Sequence, residues 1–283
     1  MNITVNVDYR TAWGERVVLV TADGKRVDMS CSGSKWVAMF TLPKSAKSIG
    51  YHFEVLDSEG NTIRTEWGEG HNYTLAADAK YLIVDDCWAE RPHNRAFYTS
   101  MFTDTIFAHE VQSAEKLAAA AMRIDVEAPT LRRNEALALI GSTTQLGEWD
   151  TDNLRKMVHI GNSVWSVTIG AAESSAEYKF VVIDSKSGKV IRWEEGENRT
   201  LPYFGVQGAA YIIRGLRLRD NSNWRGAGVA IPMFSLRSEK SFGVGDFTDL
   251  KLLADWCVRT GQNIIQILPI NDTTMTRTWK DSY

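Results

Sequence analysis

The feature that most narrows the folds open to this chain is an internal repeat within its first 218 residues. Three pairs of segments match in the same order: Trp36–Phe40 with Trp165–Ile169, Tyr51–Val55 with Tyr178–Val182, and Trp67–Asn72 with Trp193–Asn198. Because the spacing between the segments is nearly the same in both copies, the repeat predicts a duplicated domain.

Each copy consists of short β-branched and aromatic runs separated by turn signals such as Asp23-Gly24. In the first copy the runs are Ile3–Val7, Val17–Thr21, Trp36–Leu42, Ile49–Leu56 and Tyr81–Asp85. This pattern is typical of an antiparallel, immunoglobulin-like β-sandwich. We therefore predict one sandwich module over residues 1–107 and a second over residues 121–218. Residues 108–120 form an alanine-rich linker, which is predicted to be either a short helix or a spacer.

The pattern changes after Leu218. An apolar run, Val229–Phe234, is followed by a segment of helical periodicity that begins at Phe247, and then by a second apolar run, Asn263–Pro269. Asp246 is a suitable N-cap for this helix and Gly261 a suitable stop. Residues 219–283 thus predict a β-α-β unit of an α/β fold. A unit of this size cannot cover both faces of its strands, so we expect it to be poorly folded or sticky in isolation.

Composition and charge exclude several functional classes. The formal net charge of −3 offers no basic surface for a phosphate backbone, so no nucleic-acid partner is expected. No apolar stretch is long enough to cross a membrane, and the N-terminus lacks a signal-peptide pattern, which predicts a cytoplasmic protein. Three widely spaced cysteines and scattered histidines indicate neither disulfides, a metal site nor a cofactor.

The second module carries a set of residues suited to sugar. Flat aromatic rings pack on the apolar faces of pyranose rings, while amide, carboxylate and ammonium groups bond to the hydroxyls. The candidates are Trp149, Lys179, Trp193, Glu194 and Asn198. The alternative for the two tryptophans is a place in the core. Sugar platforms are favoured, because aromatic residues carried on turns are seldom structural.

At these residues the chain resembles carbohydrate-binding module family 20, the starch-binding modules. The resemblance rests on Ile140-Gly-Ser, Leu146-Gly-Glu-Trp149, Trp165, Tyr178-Lys179-Phe and Trp193 through Arg199. It implies that Trp149 and Trp193 stack on α-glucan at a first site, and that Lys179 and Asn198 hydrogen-bond it. It also implies that Trp165 belongs to the core.

The first module departs from this pattern. It lacks a Leu-Gly-x-Trp segment and has His52 in place of the lysine, but it keeps Trp67 and Asn72 as candidate contacts. Trp13 matches the position of a second-site aromatic in the family, where the second module has Arg133. A core position is an equally open interpretation of Trp13. The two modules either divide the two sites between them, or the first module binds weakly and acts as a spacer.

The last segment resembles the beginning of glycoside hydrolase family 77, the amylomaltases and disproportionating enzymes. The carriers are Gly228–Arg237, Ser241–Phe247, Asp255-Trp256 and Gln266–Asp272. The resemblance implies the first β-α-β of a (β/α)₈ barrel and a retaining mechanism with an aspartate nucleophile and a glutamate acid/base. Those residues are expected beyond Tyr283. Ser235, Asn271 and Asp272 are candidates either for a sugar subsite or for capping and turn roles.

These resemblances together predict an enzyme that transfers 1,4-α-glucan segments to glucose, maltodextrin or glycan acceptors. The sandwich modules would bind its starch-like or glycogen-like polymer, and the 283 residues would be inactive by themselves. The alternative from another class is a non-catalytic α-glucan-binding protein. A third hypothesis, protein-binding immunoglobulin-like domains, is disfavoured by the cluster of Trp149, Lys179, Trp193 and Asn198.

Overall fold

The computed structural model describes residues 1–91, 95–171, 174–203, 205–220, 224–241 and 243–268. The chain is mostly β and divides into two compact units, residues 1–222 and residues 223–283. In the described residues, no helix has the length and apolar content that a membrane crossing requires.

Module 1 is a sandwich of two sheets. Its nine strands are β1 (Asn2–Asp8), β2 (Arg16–Thr21), β3 (Arg26–Asp28), β4 (Ser30–Ser32), β5 (Lys35–Thr41), β6 (Ser48–Leu56), β7 (Thr62–Thr65), β8 (His71–Thr74) and β9 (Tyr81–Cys87). The small sheet has the order β3-β2-β6-β7, with β8 also paired to β6, and it packs on β9-β1-β5-β4. The five predicted runs are confirmed as strands.

Module 2 repeats this arrangement strand by strand. Its strands are β10 (Ala121–Glu127), β11 (Glu135–Gly141), β12 (Arg155–Lys156), β13 (Val158–Gly161), β14 (Val164–Gly170), β15 (Ala176–Asp184), β16 (Val190–Trp193), β17 (Arg199–Leu201) and β18 (Ala209–Arg217). The small sheet, β12-β11-β15-β16 with β17 on β15, packs on β13-β14-β10-β18. Trp36 and Trp165 occupy the same place, opposite Val7 and Val126, and both are buried.

The two large sheets are joined into one. Strand β9 pairs in parallel with β18, with Tyr81 opposite Ala209 and Asp85 opposite Ile213, so that eight strands form a continuous sheet. The pairings of β1 with β9 and of β10 with β18 are also parallel. The other described pairings of the two modules are antiparallel, as in the predicted sandwiches. At the junction β9 and β18 are buried on both faces, as parallel strands usually are.

The cores of the two modules lie on opposite faces of the shared sheet. Successive residues of a strand point to opposite faces. On β18, Ala210 and Ile212 pack in the core of module 1, whereas Tyr211 packs in the core of module 2. On β9, Ile83 likewise packs in the core of module 2, while Leu82 packs in that of module 1. Each module therefore completes the core of the other.

A buried polar cluster lies at this junction. Asp86 Oδ2 accepts hydrogen bonds from the hydroxyls of Tyr51 at 2.7 Å and Tyr73 at 2.8 Å, and His71 Nδ1 lies 3.1 Å away. His71 Nε2 is 2.9 Å from Glu66 Oε2. Burial by itself would lower the pKa of His71, but hydrogen bonds to Asp86 and Glu66 outweigh it and raise the pKa to about 9.

Module 2 contributes a cation to the same cluster. Arg214 on β18 places Nη1 3.2 Å from His71 Nδ1 and 3.5 Å from the Tyr73 hydroxyl. Two positive groups, Arg214 and His71, thus face two buried carboxylates, Glu66 and Asp86. A buried ion network of this kind is costly to break by removing one member.

The linker is not helical between residues 112 and 118. At its beginning, the amide of Gln112 donates to the His159 carbonyl of module 2 at 2.8 Å. Further along, Leu117 and Ala119 pack against the core of module 1, and the amide of Ala119 donates to Asp78 at 3.1 Å. The linker is thus attached to both modules, and of the two predicted alternatives the structure has a non-helical connection.

The second unit contains the predicted β-α-β. Strands β19 (Gly228–Ile231) and β20 (Ile264–Ile267) are parallel and are connected through helix α1 (Phe247–Arg259). Asp246 caps α1 in a capping box with Asp249, as expected, and Gly261 follows the helix with φ of 71°. Several large apolar side chains of this unit are exposed: Phe234, Val244, Phe247, Leu252, Trp256 and Val258.

Candidate functional site

Trp149 lies on the loop between β11 and β12. Leu146 is completely buried and fixes the loop to the core of module 2. Gly147, Glu148 and Trp149 all have left-handed backbones, with φ of 82°, 50° and 63°. A Cβ on Gly147 would lie 2.4 Å from the Asn153 carbonyl oxygen, so only glycine fits there. Non-glycine residues in this conformation are strained and often occur at functional sites.

Trp149 and Trp193 meet on the outer face of the small sheet of module 2. Their ring centroids are 6.5 Å apart and the ring planes differ by 33°. Trp193 ends β16 opposite Val181 and is 42% exposed, while Trp149 packs against an aliphatic patch that includes Ile140 and Val181. Trp193 is therefore not a core residue, and Trp149 is half-buried against this patch. The pair forms a tilted aromatic surface, a shape that suits the apolar face of a sugar chain.

Two polar side chains border this aromatic pair. Lys179, opposite Ile140 in the sheet, donates to the Gly196 carbonyl at 2.6 Å and lies 3.4 Å from the Glu194 carbonyl. Asn198 is exposed, and its amide nitrogen donates to Glu177 Oε2 at 2.9 Å. Among the described residues, no partner bonds the Asn198 oxygen or a third proton of the Lys179 ammonium group, so both can bond to a further polar group. The sequence did not single out Glu177, which orients Asn198.

Glu194 does not belong to this surface. Its side chain is 0% exposed, and Oε1 accepts a hydrogen bond from the Phe180 amide at 3.0 Å. Arg199 and Arg219 also donate to the carboxylate, at 2.9 and 3.3 Å. The expectation that Glu194 contacts sugar is therefore wrong, because no face of the carboxylate is accessible. Its chemical role is to fix the loop between Trp193 and Asn198.

This internal bonding sets the ionisation of Glu194. Burial alone would raise its pKa, but hydrogen bonds from Arg199, the Phe180 amide and Arg219 outweigh burial and lower the pKa below its ordinary value. The carboxylate is therefore charged at neutral pH. Arg199 belongs to the motif that carries the family resemblance, and it lies five residues after Glu194.

Module 1 has the same buried carboxylate, and it corrects the sequence match of Trp67 with Trp193. Glu66 Oε1 accepts from the Phe53 amide at 2.9 Å, just as Glu194 accepts from Phe180. Trp67 follows Glu66, whereas Trp193 precedes Glu194. By strand pairing, Thr65 lies opposite Glu54 as Trp193 lies opposite Val181. Thr65 is thus the true counterpart of Trp193.

The same shift applies to Asn72. It lies opposite Gly50 on β8, whereas the residue in that place in module 2 is Thr200, opposite Glu177. Trp67 is 51% exposed and Asn72 is exposed, but the structure does not place them where Trp193 and Asn198 lie. The equivalence of these residues, predicted from the repeat, is therefore wrong by two residues. The matching buried glutamates could have revealed the register, but burial is not visible in a single sequence.

The outer face of module 1 carries other groups. His52 takes the place of Lys179 and lies 3.6 Å from Glu54, which also pairs with Arg26 at 2.9 Å. Residues 22–25 make a short turn between β2 and β3, where module 2 has residues 142–154. The loop that would carry a counterpart of Trp149 is thus missing.

Trp13 lies in a turn before β2 and is 104% exposed, so the core alternative is wrong. Its match to Arg133 is confirmed by geometry. The amide of Ala12 donates to Glu15 at 2.9 Å, and the amide of Arg132 donates to Glu135 at 3.0 Å. Glu15 is also paired with Arg64, and Glu135 with Arg192.

The remaining candidates are in the second unit. Ser235 ends a short 3₁₀ turn, and its hydroxyl donates to the Pro232 carbonyl at 2.7 Å. Of the two predicted alternatives, a sugar subsite or a turn role, this contact corresponds to the turn role. Asn271 and Asp272 lie outside the described residues. In the part of the chain that the structure describes, no three His, Cys, Asp or Glu side chains are arranged to hold a metal ion.

The fold and this face define a class: two β-sandwich modules in tandem, of which the second carries an aromatic face suited to sugar, followed by a β-α-β segment. Residues 120–208 match the family of the starch-binding domain, and residues 231–283 match the family of 4-alpha-glucanotransferase. The chain therefore carries a starch-binding domain of carbohydrate-binding module family 20 and a segment of glycoside hydrolase family 77.

Curated relatives agree with both matches. The chain is 30% identical over 249 residues to "4-alpha-glucanotransferase DPE2" of Oryza sativa subsp. japonica, covering 82% of this chain and 26% of the rice protein. It is 54% identical over 46 residues to the 4-alpha-glucanotransferase of Chlamydia trachomatis, covering 16% of this chain and 9% of that protein. The chain thus spans about a quarter or less of the length of these relatives.

Proposed function

We propose that the outer face of module 2 binds α-1,4-glucan of the starch or glycogen type. The observation that carries this proposal is the pair of Trp149 and Trp193, whose ring centroids are 6.5 Å apart beside an aliphatic patch of the sheet. Aromatic rings contact the apolar face of the sugar, and Lys179 and Asn198 bond to its hydroxyls. Trp13, Trp67 and Asn72 remain predictions of weaker, secondary contact.

We further propose that these modules belong to a 4-α-glucanotransferase, which transfers α-glucan segments to glucose, maltodextrin or glycan acceptors. Support comes from the family match over residues 231–283 and from the rice relative, which aligns with 82% of the chain. Binding of the polymer by module 2 would hold it near the catalytic domain and raise its local concentration. A cytoplasmic location is proposed for the same protein, which is in keeping with three free cysteines.

The test of the binding proposal is calorimetric titration of the chain with β-cyclodextrin. Wild-type protein should bind in the micromolar to millimolar range, with affinity reduced at least about 100-fold in the Trp149→Ala/Trp193→Ala double variant. The matched control is Trp224→Ala in the second unit, which should bind like the wild type. Absence of heat in the wild type would refute the proposal, and so would equal binding by the double variant.

A further inference from the structure

The loop of residues 194–198, between β16 and β17, adjoins the proposed sugar face of module 2. Trp193 ends β16 directly before this loop, and Asn198 is its last residue. Within it, the Gly196 carbonyl accepts a hydrogen bond from Lys179 at 2.6 Å. The position of the loop therefore sets the positions of three groups that are proposed to contact glucan.

The segment in which the chain leaves module 2, residues 217–220, is bonded to the same loop and to β17; we call it the exit segment. The amide of Glu195 donates to the Arg219 carbonyl at 2.8 Å. Arg199, at the start of β17, donates to the Arg217 carbonyl at 2.7 Å. The chain continues from the exit segment into the second unit, which begins at residue 223.

The side chain of Arg219 spans the whole loop. Its Nε donates to Glu194 Oε2 at 3.3 Å, and its Nη2 donates to the Glu197 carbonyl at 2.7 Å. Its Nη1 lies over Gly196, where a Cβ would be 3.1 Å away, and the φ of 75° at Gly196 also favours glycine. The rigid fork of a guanidinium can bond two acceptors at once, whereas an ammonium group is a single point charge.

Module 1 shows that the sandwich does not require an arginine here. Its corresponding segment is attached through the backbone alone: the amide of Trp67 donates to the Ala89 carbonyl at 2.9 Å, and the amide of Ala89 donates to Glu66 at 3.1 Å. A methyl side chain cannot reach further along the loop. The bond from Arg219 to the Glu197 carbonyl is therefore an addition of module 2, the module that carries the aromatic pair.

We propose that Arg219 is a positioning residue for the glucan-binding face, and that it couples occupancy of this face to the order of the exit segment. The inference rests on the proposed function. When the loop moves away, Asn198 moves with it, so the apparent affinity falls with the fraction of molecules whose loop is in place. Coupling between two sites is reciprocal. Glucan on module 2 therefore strengthens the attachment of the segment through which the chain continues to the second unit.

The first test is calorimetric titration of the 283-residue chain with β-cyclodextrin. Arg219→Ala should weaken binding at least about fivefold, and Arg219→Lys at least about threefold, because lysine bonds only one of the two acceptors. The matched control is Arg217→Ala, which removes the same charge from the same segment. Its side chain pairs with Glu127 at 3.1 Å, so this variant should bind like the wild type. Glu194→Gln should affect binding less than Arg219→Ala, because it keeps the bond from Arg219 to the Glu197 carbonyl.

The second test is hydrogen exchange of the Glu195 amide, followed by NMR, because this amide bonds directly to the exit segment. Without ligand, the exchange should be at least about fivefold faster in Arg219→Ala and unchanged in Arg217→Ala. In the wild type, saturating β-cyclodextrin should slow it by a factor comparable to the loss of affinity in Arg219→Ala.

Three outcomes would overturn the coupling alone. They are wild-type affinity in Arg219→Ala, full recovery of affinity in Arg219→Lys, and a Glu195 exchange rate that β-cyclodextrin leaves unchanged in a wild type that binds it. The last measurement needs no variant, so it decides the matter even if the Arg219 variants fail to fold. A wild type that gives no heat with β-cyclodextrin refutes the proposed function and the coupling together, which distinguishes the two failures.

Discussion

The outer faces of the two small sheets share one framework and differ in what it carries. Both modules place a buried glutamate under the sheet, bonded to the amide of a phenylalanine, Phe53 or Phe180. Module 2 adds the loop of residues 142–154 and a tryptophan at position 193; module 1 has a four-residue turn, residues 22–25, and Thr65. The comparison shows that the framework is maintained by buried polar contacts, while the candidate site depends on a loop and one strand-end residue.

The modules also differ in the cation that accompanies the buried glutamate. In module 2 it is Arg199, which lies opposite Tyr178, and in module 1 it is His71, which lies opposite Tyr51. Arginine stays charged at every physiological pH, whereas histidine does not. The two ion pairs, Glu194 with Arg199 and Glu66 with His71, are built alike. Only the pair in module 1 contains a cation that can lose its proton in the physiological range.

The largest expected effect tests whether the modules are separable. Ala210 lies on a strand of module 2 but is completely buried in the core of module 1. Ala210→Asp would bury an unpaired carboxylate there, which should cost at least about 4 kcal/mol and unfold both modules together. Thermal unfolding followed by circular dichroism should show one transition, shifted or lost as a whole.

The matched control is Ala77→Asp, in an exposed turn of module 1, which should unfold like the wild type. If Ala210→Asp instead produced two transitions, with module 2 melting at its wild-type temperature, the shared sheet would not couple the modules. Their cores would then be independent despite the parallel pairing of β9 and β18.

The next effect concerns the corrected role of Glu194. Glu194→Gln removes the buried charge that Arg199 and Arg219 both face, and should lower the free energy of unfolding by about 2–4 kcal/mol. Folded protein should still bind β-cyclodextrin within about threefold of wild type, since both platform tryptophans remain. Glu197→Gln, on the exposed part of the same loop, is the control and should change neither quantity.

Urea unfolding and calorimetry on the same preparations decide whether Glu194 stabilises the loop or contacts sugar. Unchanged stability combined with lost binding would restore Glu194 as a sugar contact. That outcome would require the loop to open in solution.

The difference between His71 and Arg199 predicts a pH dependence. Because the pKa of His71 is raised from 6.5 to about 9, its stabilisation is complete below pH 6.5 and is lost as the pH rises through about 9. The loss should reach up to about 3 kcal/mol. The neighbouring Tyr51 and Tyr73 have pKa values raised well above 10 by burial, so they do not contribute in this range.

The measurement is urea unfolding at several pH values between about 6 and 9.5. His71→Gln, which cannot titrate at this position, is the control and should be less stable but nearly independent of pH between about 7 and 8.5. A wild-type profile as flat as that of His71→Gln would show that His71 is not charged in the folded protein.

The sequence predicted the strands and the repeat, and it singled out Trp149 and Trp193, which meet on one sheet face, because alternating apolar runs, turn signals and the residues of Leu146-Gly-Glu-Trp149 are local features. It did not predict the parallel contact of β9 with β18, which depends on residues 128 positions apart, such as Tyr81 and Ala209. The repeat paired Trp67 with Trp193 because tryptophans stand out in a sequence. The correct register is set by the buried Glu66 and Glu194. Their burial follows from tertiary hydrogen bonds that periodicity does not reveal.

The smallest expected effect tests the corrected register directly. Trp67 lies after the buried glutamate, away from the place of Trp193, so Trp67→Ala should change β-cyclodextrin affinity by less than about threefold. Stability should change by no more than about 1 kcal/mol, since the side chain is 51% exposed. Trp13→Ala, at a fully exposed turn, should do as little. Should Trp67→Ala weaken binding as much as Trp193→Ala does in a parallel titration, module 1 would contain a working site of its own. Both modules would then have an aromatic binding surface. They would differ only in the positions of the aromatic residues that form it.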